Sequence, residues 1–403
     1  MNNSISGKNI VLGVTGSISC YKSADLASKL TQQGAVVDVV LTKGAVNFVS
    51  PLTFTSLVGR DVYVDMFDHN STKSISHVSL AHKADIIIVY PATAHTIAKI
   101  AHGFADDILT TIILASRARV VVAPAMDGFM FENSATQENI EKLKTRGMFI
   151  FGPNEGRLAS GLIGSGRLVE VSQMIDSLEN VLGIDGDLRG QSIVVSAGGT
   201  QEPIDPVRVI TNRSSGKMGF AIARAARNRG AKVTLVTAPT SLPSMSGVDI
   251  RNVGTAYEMK EQILDACKHA DVLVMAAAIS DYRPKNVSDQ KIKKNLTDKN
   301  KELSIALIQN EDFTQDIPGN VLKVGFAAES QNLIDNARNK LVQKGLALIV
   351  ANDITSTESG FNVDDNKVSI LDEFGGVEDV PLMNKYDVGN RILDRVVKLL
   401  DVQ

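Results

Sequence analysis

Short apolar runs that end in Gly, Ser, Thr, Pro or Asn alternate with longer amphipathic stretches along the chain. Buried parallel strands followed by crossover helices give this pattern. One set of runs occupies residues 8–17, 34–43, 83–94 and 117–127. A second set repeats the order at similar spacing, at residues 191–200, 230–239, 269–280, 321–330 and 346–353. The pattern predicts an α/β protein with two doubly wound parallel sheets of the Rossmann-like or flavodoxin-like kind.

The segment between the two sets, residues 181–191, reads VLGIDGDLRGQ and follows a predicted helix near residues 171–182. Its glycines and aspartates break both the helical and the strand periodicity, which is typical of a linker. A chain of 403 residues is also long enough for about two domains of ordinary size. We place the boundary near residue 187, so that the predicted domains are 1–186 and 187–403.

Composition narrows the class of protein. The formal net charge of −3 and the pI near 6.1 give no basic field for nucleic acid. No apolar run approaches the roughly 20 residues of a membrane span, and the polar start MNNSISGKN lacks the apolar core of a signal peptide. We therefore expect a cytoplasmic protein without a membrane partner. Cys20 and Cys267 fit a reducing compartment and offer neither a disulfide framework nor a thiolate metal site.

Ligands of doubly wound sheets bind beyond the carboxyl ends of the strands. The chain places GVTGS, PATA, PAMD, SAGGT, AAAISDY, GFAAE and AND there. A nicotinamide-dependent enzyme is one hypothesis, but neither GVTGSIS nor SAGGTQE matches GxGxxG, and no acidic residue closes the second strand of either set. In GVTGSIS, Gly13, Gly16 and the Ser17 hydroxyl lie where a strand meets a helix, which suits a phosphate and equally suits a packing turn.

Other motifs also have both a structural and a functional interpretation. His77 lies in SISHVSLAHKAD, an apolar segment in which a histidine is more often structural. Residues 211–231 predict an amphipathic helix with an exposed arginine face, and its start either caps the helix or donates to a phosphate. The residues at that start are Ser214, Ser215, Gly216 and Lys217. On composition alone, the KIKK run at residues 291–294 is a solvated face.

The motifs of the second half, taken in order, resemble the ligase half of the bacterial bifunctional phosphopantothenoylcysteine synthetase/decarboxylase family of coenzyme A biosynthesis. They are SAGGTQEPIDPVR, TNRSSGKMGFAIA, AAAISDYRP, KIKK, GFAAES and ANDI. In the first half, GVTGSISCYK, HVSL, PATAHTIAKIAHGFADD and PAMDGFM resemble the FMN-dependent decarboxylase half of that family. The resemblance covers nearly the whole chain. It implies small-molecule substrates and a homo-oligomer, with trimers formed by the flavin half and dimers formed by the ligase half.

For the ligase half, the resemblance implies that the carboxylate of 4′-phosphopantothenate attacks CTP with Mg²⁺, giving an acyl cytidylate, and that the amine of cysteine then displaces CMP. Lys291, with Lys293, matches the position that neutralises charge on the phosphates. Asn212 matches the asparagine that holds the activated acyl group. The other expected CTP contacts are Ser214, Ser215, Gly216, Lys217, Ala277, Ala278, Asp281 and Phe326. No metal ligand is assigned, and the choice of CTP over ATP rests on the resemblance.

For the flavin half, the resemblance implies that FMN oxidises the substrate's cysteine thiol, that the thioaldehyde loses CO₂, and that the electrons then return. The matching FMN contacts are Gly16, Ser17, Thr42, Thr93 and Met126. His77 matches a histidine that stands near the substrate. The family also uses an asparagine in a PxMN motif, which contacts the departing carboxylate, and a cysteine in an A-C-G motif, which donates the final proton.

This chain departs from both of those motifs: PAMD places Asp127 at the asparagine position, and ASG places Ser160 at the cysteine position. An ionised Asp127 repels a substrate carboxylate, whereas a protonated Asp127 between Met126 and Met130 donates a hydrogen bond. Ser160 is a far weaker acid than a thiol, whose pKa is about 8.5, so we expect slow proton delivery. Three hypotheses follow for residues 1–186: a working decarboxylase, an oxidative decarboxylase that stops at an enethiol, and a non-catalytic FMN-binding or assembly module.

Overall fold

A computed structural model describes residues 4–66, 76–293, 303–329, 332–353 and 363–401. The chain forms two compact units, Met1–Leu182 and Gly183–Gln403. Each unit has its own mainly parallel sheet and its own buried cores, which confirms the predicted fold class. Within the described ranges, no helix has the length and apolar character needed to cross a membrane.

The first unit contains a six-stranded parallel sheet, a separate hairpin and eight helices in its described part. Its strands are β1 (Asn9–Val14), β2 (Val36–Leu41), β3 (Val62–Tyr63), β4 (Ile86–Ala92), β5 (Arg119–Pro124), β6 (Phe149–Ile150), β7 (Asn154–Arg157) and β8 (Ile163–Arg167). Its helices are α1 (Tyr21–Gln32), α2 (Pro51–Val58), α3 (Ser76–Lys83), α4 (Ala94–His102), α5 (Ile108–Ala115), α6 (Gly128–Glu132), α7 (Ser134–Thr145) and α8 (Val171–Gly183).

The order of the first sheet is β3-β2-β1-β4-β5-β6, which is the Rossmann order with its reversal between β1 and β4. Helices cover both faces, so the strands are apolar along their whole length rather than alternating. Ile10 and Leu12 of β1 pack with Leu26 of α1 in one core, while Val11 faces a second core that contains Leu109 of α5. This two-sided burial explains why the sequence pattern revealed the central strands.

The second unit is built on an eight-stranded sheet, with two short antiparallel ribbons beside it. Its strands are β9 (Ser192–Ala197), β10 (Gln201–Pro203), β11 (Val209–Thr211), β12 (Lys232–Thr237), β13 (Val248–Asn252), β14 (Val272–Met275), β15 (Tyr282–Pro284), β16 (Leu307–Gln309), β17 (Leu322–Glu329), β18 (Leu348–Asp353), β19 (Asp365–Asp372) and β20 (Val377–Asn384). Its helices are α9 (Lys217–Arg227), α10 (Ala256–Cys267), α11 (Leu333–Lys344) and α12 (Lys385–Leu400).

The order of the second sheet is β13-β12-β9-β14-β17-β18-β19-β20, which again reverses beside the first strand of the unit. The strands from β13 to β18 are parallel, and β19 and β20 extend the sheet in antiparallel fashion. The ribbons β10-β11 and β15-β16 connect to loops at the carboxyl edge. The second sheet therefore repeats the topology of the first and adds an antiparallel border.

The expected exposed arginine face on residues 211–231 is wrong. Arg227 of α9 is 1% exposed, and its Nη1 donates to the Ser246 carbonyl at 2.6 Å. The Arg224 guanidinium lies 5.4 Å from the ring centre of Tyr386 in α12. Helix α12 packs closely on α9, because a Cβ at Gly389 would lie 3.3 Å from the α9 backbone. The arginines are thus used to join elements within the unit rather than to meet solvent.

Candidate functional sites

A cavity of about 730 Å³ lies at the carboxyl edge of the first sheet, next to the reversal of strand order. Its size falls within the roughly 300–1,000 Å³ of small-molecule sites. The residues that the sequence assigns to FMN come from four different loops, and all of them line this cavity: Gly16, Ser17, Thr42, Thr93 and Met126. The strands that precede these loops end together, since Val14 pairs with Leu41 and Ala92 with Pro124.

One side of the cavity is shaped for an anion. A Cβ at Gly16 would lie 3.0–3.1 Å from the backbone of Gly44, so the loops after β1 and β2 approach backbone to backbone. The Ser17 Oγ caps a 3₁₀ turn, accepting from the Ser19 N–H at 3.3 Å. Thr93 caps α4 in the same way. The cap residues of two helix starts therefore line the cavity, and the N–H groups of helix starts favour phosphate.

Charged side chains that the sequence analysis missed line another part of the cavity. Lys99 pairs with Asp106 at 2.8 Å and with Asp107 at 3.0 Å, and all three residues line the cavity, as does His95. The hydrogen bond from Lys99 lowers the pKa of Asp106, so this carboxylate is charged at neutral pH. In the sequence, the two carboxylates belong to the segment GFADD after α4. This segment lies at the carboxyl edge of the sheet although it follows a helix and not a strand.

The two substituted positions of the flavin half contact each other. Ser160 Oγ donates to Asp127 Oδ2 at 3.0 Å, and the Phe129 N–H donates to Asp127 Oδ1 at 3.1 Å. Asp127 thereby caps α6, with both of its carboxylate oxygens acting as acceptors. Met126 and Met130, on either side of Asp127 in the chain, line the cavity. Asp127 and Ser160 therefore form one polar pair at the border of the cavity.

The hairpin β7-β8 brings Ser160 to this place. The Met126 N–H donates to the Gly166 carbonyl at 3.1 Å, which fixes β8 against the loop after β5. Only a glycine fits at position 166, because its φ is +146° and a Cβ would collide with the Met126 carbonyl. His77 lies partly buried in α3 and is not among the described residues that line the cavity, so its role stays a prediction.

In the second unit, the loops after β9 and β14 are joined by main-chain contacts. The Ala277 N–H donates to Ser196 Oγ at 3.1 Å, and the Ala278 N–H donates to the Gly198 carbonyl at 2.8 Å. The Thr200 N–H returns a bond to the Ala278 carbonyl at 3.3 Å. SAGGT and AAAIS are thus held side by side at the carboxyl edge of the sheet.

Asn212 and the SSGK loop meet the same SAGGT loop. The Asn212 side-chain nitrogen donates to the carbonyl oxygens of Ala278 and Ile279 in the AAAIS loop, at 3.3 Å each. A Cβ at Gly199 of the SAGGT loop would lie 2.8 Å from the Asn212 carbonyl oxygen. Gly216, with φ of +77°, precedes the first residue of α9, and a Cβ there would lie 3.4 Å from the Gly198 nitrogen. The polar start of α9, Asn212 and the AAAIS loop therefore converge on one glycine-rich loop.

The remaining predicted ligase residues have other contacts or are exposed. Lys217 pairs with Asp364 at 2.7 Å and lowers the pKa of that carboxyl. The Phe326 carbonyl in β17 accepts from Lys340 Nζ at 2.9 Å. Asp281 is exposed, and its carbonyl accepts from the Asn310 N–H at 2.8 Å. Lys291 and Lys293 are exposed on a separate segment, and Lys294 lies outside the described residues.

One further feature of the second unit, the burial of Lys385, was not predicted. Lys385 is 5% exposed at the start of α12 and donates to the Val363 carbonyl. Burial, together with the charge of Lys217, lowers the pKa of Lys385 to about 8. In the part of the chain that the structure describes, no group of three or more His, Cys, Asp or Glu side chains is arranged to hold a metal ion.

The fold and the sites define a two-unit α/β enzyme, with a small-molecule cavity on one sheet and a glycine-rich loop cluster on the other. Two family models divide the chain accordingly. The flavoprotein family matches residues 1–183, and the family described as DNA/pantothenate metabolism flavoprotein C-terminal domain matches residues 188–400. The chain belongs to the family of bifunctional coenzyme A biosynthesis proteins, as its full-length relatives show.

The coenzyme A biosynthesis bifunctional protein CoaBC of Vibrio vulnificus strain YJ016 is 42% identical over 400 residues, covering 98% of this chain and 99% of that protein. The protein of the same name from Bacillus subtilis strain 168 is 41% identical over 401 residues, covering 98% of both chains. Among solved structures, the C-terminal domain of a CoaBC protein is 35% identical, covers 54% of this chain and 100% of that chain, and has a TM-score of 0.46.

Proposed function

We propose that residues 187–403 form a CTP-dependent phosphopantothenate–cysteine ligase. The observation that carries this proposal is the convergence of Asn212, the start of α9 and the AAAIS loop on the SAGGT loop. Such a cluster offers backbone N–H groups and a helix start to phosphates, with uncharged donors beside them for an acyl group. It supports activation of the carboxylate of 4′-phosphopantothenate as an acyl cytidylate, which the amine of cysteine then attacks with release of CMP.

The proposed roles follow the resemblance of these motifs to the ligase half of the family. The phosphate contacts are Ser214, Ser215, Gly216, Lys217 and Lys291, and the base and ribose contacts are Ala277, Ala278, Asp281 and Phe326. Asn212 orients the activated acyl group. Its amide already donates to protein carbonyls, so it is held in one orientation before substrate binds. We propose that Mg²⁺ enters with CTP, where it would neutralise phosphate charge and improve the leaving group.

A direct assay tests the ligase proposal. The purified protein is supplied with 4′-phosphopantothenate, cysteine, Mg²⁺ and either CTP or ATP, and CMP, AMP and the ligated product are quantified by chromatography with mass detection. We expect one CMP per phosphopantothenoylcysteine formed, and little AMP. Equal turnover of ATP would refute the assigned nucleotide, and no ligated product with either nucleotide would refute the ligase assignment itself.

We propose that residues 1–186 bind FMN in the cavity at the β1-β4 reversal. The glycine-lined helix starts suit the FMN phosphate, and the volume of about 730 Å³ suits the rest of the cofactor. Gly16, Ser17, Thr42, Thr93 and Met126 would hold it. Bound FMN supplies the oxidation of the substrate thiol and the later return of the electrons. The protein groups at the border of the cavity determine how substrate is oriented and where protons are delivered.

The Asp127–Ser160 pair determines our proposal for the chemistry of this half. Both oxygens of Asp127 accept hydrogen bonds, so this position offers an acceptor where a departing carboxylate needs a donor. Ser160 replaces an acidic thiol by an alcohol whose hydrogen already points to Asp127. We propose that substrate binding is weakened and that the protonation of the enethiol is the slow step, so that decarboxylated product accumulates before reduction.

The remaining proposals concern organisation. We propose the domain assignment 1–186 for the flavoprotein domain and 187–403 for the ligase domain, within a homo-oligomer that uses trimers of the first and dimers of the second. Native mass measurement of the intact chain and of a 187–403 fragment tests the contribution of the first domain to assembly. The same number of subunits in both oligomers would refute that contribution.

A further inference from the structure

A lysine and two carboxylates form an ion-pair group on the wall of the cavity in the first unit. Lys99 lies on α4, six residues after the cap residue Thr93, which is roughly 9 Å along the helix axis. Its Nζ pairs with Asp106 at 2.8 Å and with Asp107 at 3.0 Å, and its side chain is only 18% exposed. All four residues line the cavity. The backbone of Lys99 therefore belongs to a part of the wall beyond the helix start that suits a phosphate.

The turn after α4 brings the two carboxylates back to Lys99. Helix α4 is followed by Gly103, whose φ of +71° is left-handed and suits a glycine, and the Phe104 N–H donates to the Lys99 carbonyl at 3.0 Å. Asp107 then caps α5, because its Oδ1 accepts from the N–H and the hydroxyl of Thr110, both at 2.9 Å. Its Oδ2 accepts from Lys99. The ion-pair group is thus fixed by a helix end on one side and a helix start on the other.

The ion-pair group presents an excess of negative charge to the cavity. Burial alone would lower the pKa of Lys99, but its bonds to Asp106 and Asp107 raise it, so the ammonium is charged at neutral pH. One ammonium and two carboxylates leave one negative charge uncompensated. Charges on the wall of a cleft act more strongly on a bound molecule than charges on an open surface. Each member of the group therefore contributes to the electrostatic potential in the cavity.

A flavin that takes up two electrons and one proton gains one negative charge. A charge on the wall of its cavity therefore changes the affinities for the oxidised and the reduced cofactor by different factors. We infer that the ion-pair group sets the reduction potential of FMN in this cavity, with Lys99 favouring the reduced form and Asp106 opposing it. This inference rests on the proposed FMN site. The proposed reaction passes electrons from the substrate thiol to the flavin and back, so the potential determines the balance between these two steps.

The test is the reduction potential of the FMN-loaded, full-length protein, measured by anaerobic reduction against a reference dye. A single pH is used, because His95 also lines the cavity and its charge would act on the flavin as well. Lys99→Met should weaken the binding of reduced FMN about tenfold more than that of oxidised FMN, which lowers the potential by about 30 mV. Asp106→Asn removes a negative charge and should change the same ratio about tenfold in the opposite direction, which raises the potential.

A double variant separates charge from structure. Lys99→Met combined with Asp106→Asn restores the net charge of the wild type, so its potential should return at least halfway from that of Lys99→Met to that of the wild type. An ion pair that only held the turn in place would not give shifts of opposite sign in the two single variants. Lys29→Met is the matched control, since it breaks the pair with Asp25 on α1, and neither residue is among the described residues that line the cavity. It should keep the wild-type potential.

A fluorescence titration with oxidised FMN distinguishes failure of this inference from failure of the proposed FMN site. A wild-type protein that does not bind FMN would overturn both. Normal binding of FMN with equal potentials in the wild type and Lys99→Met would overturn the inference alone, as would shifts of the same sign in Lys99→Met and Asp106→Asn. If circular dichroism shows that Lys99→Met does not fold, Asp106→Asn decides, and a potential at or below that of the wild type would overturn the inference.

Discussion

Because Ser160 contacts Asp127, it is informative to replace the two residues in steps by the cysteine and asparagine of the family motifs. We predict that Ser160→Cys alone restores the final protonation only in part, and that Ser160→Cys combined with Asp127→Asn restores it much further. Ser160 Oγ lies 3.0 Å from Asp127 Oδ2. A thiol placed there faces a carboxylate, which disfavours the thiolate and makes the thiol a weaker acid. The asparagine removes that charge and provides a donor for the substrate carboxylate.

The magnitude follows from the distance. Two charges about 4 Å apart interact by roughly 1 kcal/mol in water and roughly 4 kcal/mol at an effective dielectric constant of about 20. This range corresponds to about one to three pKa units for a cysteine at position 160. A well-placed proton donor contributes about 10²–10⁴-fold to a rate. We therefore expect about tenfold faster reduction for Ser160→Cys, and about 100-fold or more for the double variant.

The assay is mass spectrometry of the products from phosphopantothenoylcysteine with FMN-loaded protein. The ratio of 4′-phosphopantetheine to the product two hydrogens lighter reports the reduction step separately from loss of CO₂. Ser165→Cys places a thiol on β8 of the same hairpin without removing the Ser160 hydroxyl that contacts Asp127, and serves as the control. Equal ratios for the single and the double variant would refute the electrostatic coupling. An unchanged ratio in both would refute the role of position 160.

Three further predictions concern other parts of the chain. Gly16→Ala should weaken FMN binding about tenfold or more in a fluorescence titration, because the added Cβ would lie 3.0–3.1 Å from the Gly44 backbone. The control is Gly164→Ala, whose Cβ would point into open space, and this variant should bind FMN normally. Asn212→Asp should lower ligation about 10²-fold in the CMP assay, since it loses a donor and faces two carbonyls; a wild-type rate would exclude Asn212 from the site. The pKa of Lys385 is lowered from 10.5 to about 8 in the folded protein, so the unfolded chain binds this proton more tightly and the stability of the fold rises with pH between these values. The Tm of the wild type should therefore rise relative to that of Lys385→Met from pH 7 to 10. Parallel Tm curves for the two proteins would contradict this.

The central strands of both sheets were predictable because their residues are buried on two faces. Ile86–Ala92 and Arg119–Pro124 read as continuous apolar runs for this reason. The ribbon strands Gln201–Pro203 and Val209–Thr211 are only three residues long, which is too short for periodicity to reveal them. The turn between these two strands, closed by the bond from the Ile204 N–H to the Arg208 carbonyl, was therefore not predicted from the pattern.

The candidate sites were predictable to different degrees. Residues at strand ends, such as Gly16 and Thr93, share a cavity because parallel strands end at one edge. The contact of Asp127 with Ser160 spans 33 residues and depends on the register of a hairpin, which the local sequence does not specify. Arg227 is likewise buried and donates to the Ser246 carbonyl, a tertiary contact that the amphipathic pattern of α9 alone does not predict.

We propose that this chain joins a working ligase to a flavin domain whose final protonation is slow. The most direct measurement is a time course of product masses after the protein is given 4′-phosphopantothenate, cysteine, CTP, Mg²⁺ and FMN. We predict phosphopantothenoylcysteine first, then the decarboxylated product two hydrogens lighter, with 4′-phosphopantetheine forming last and slowly. Rapid conversion to 4′-phosphopantetheine without either earlier species, or no ligated product at all, would contradict it.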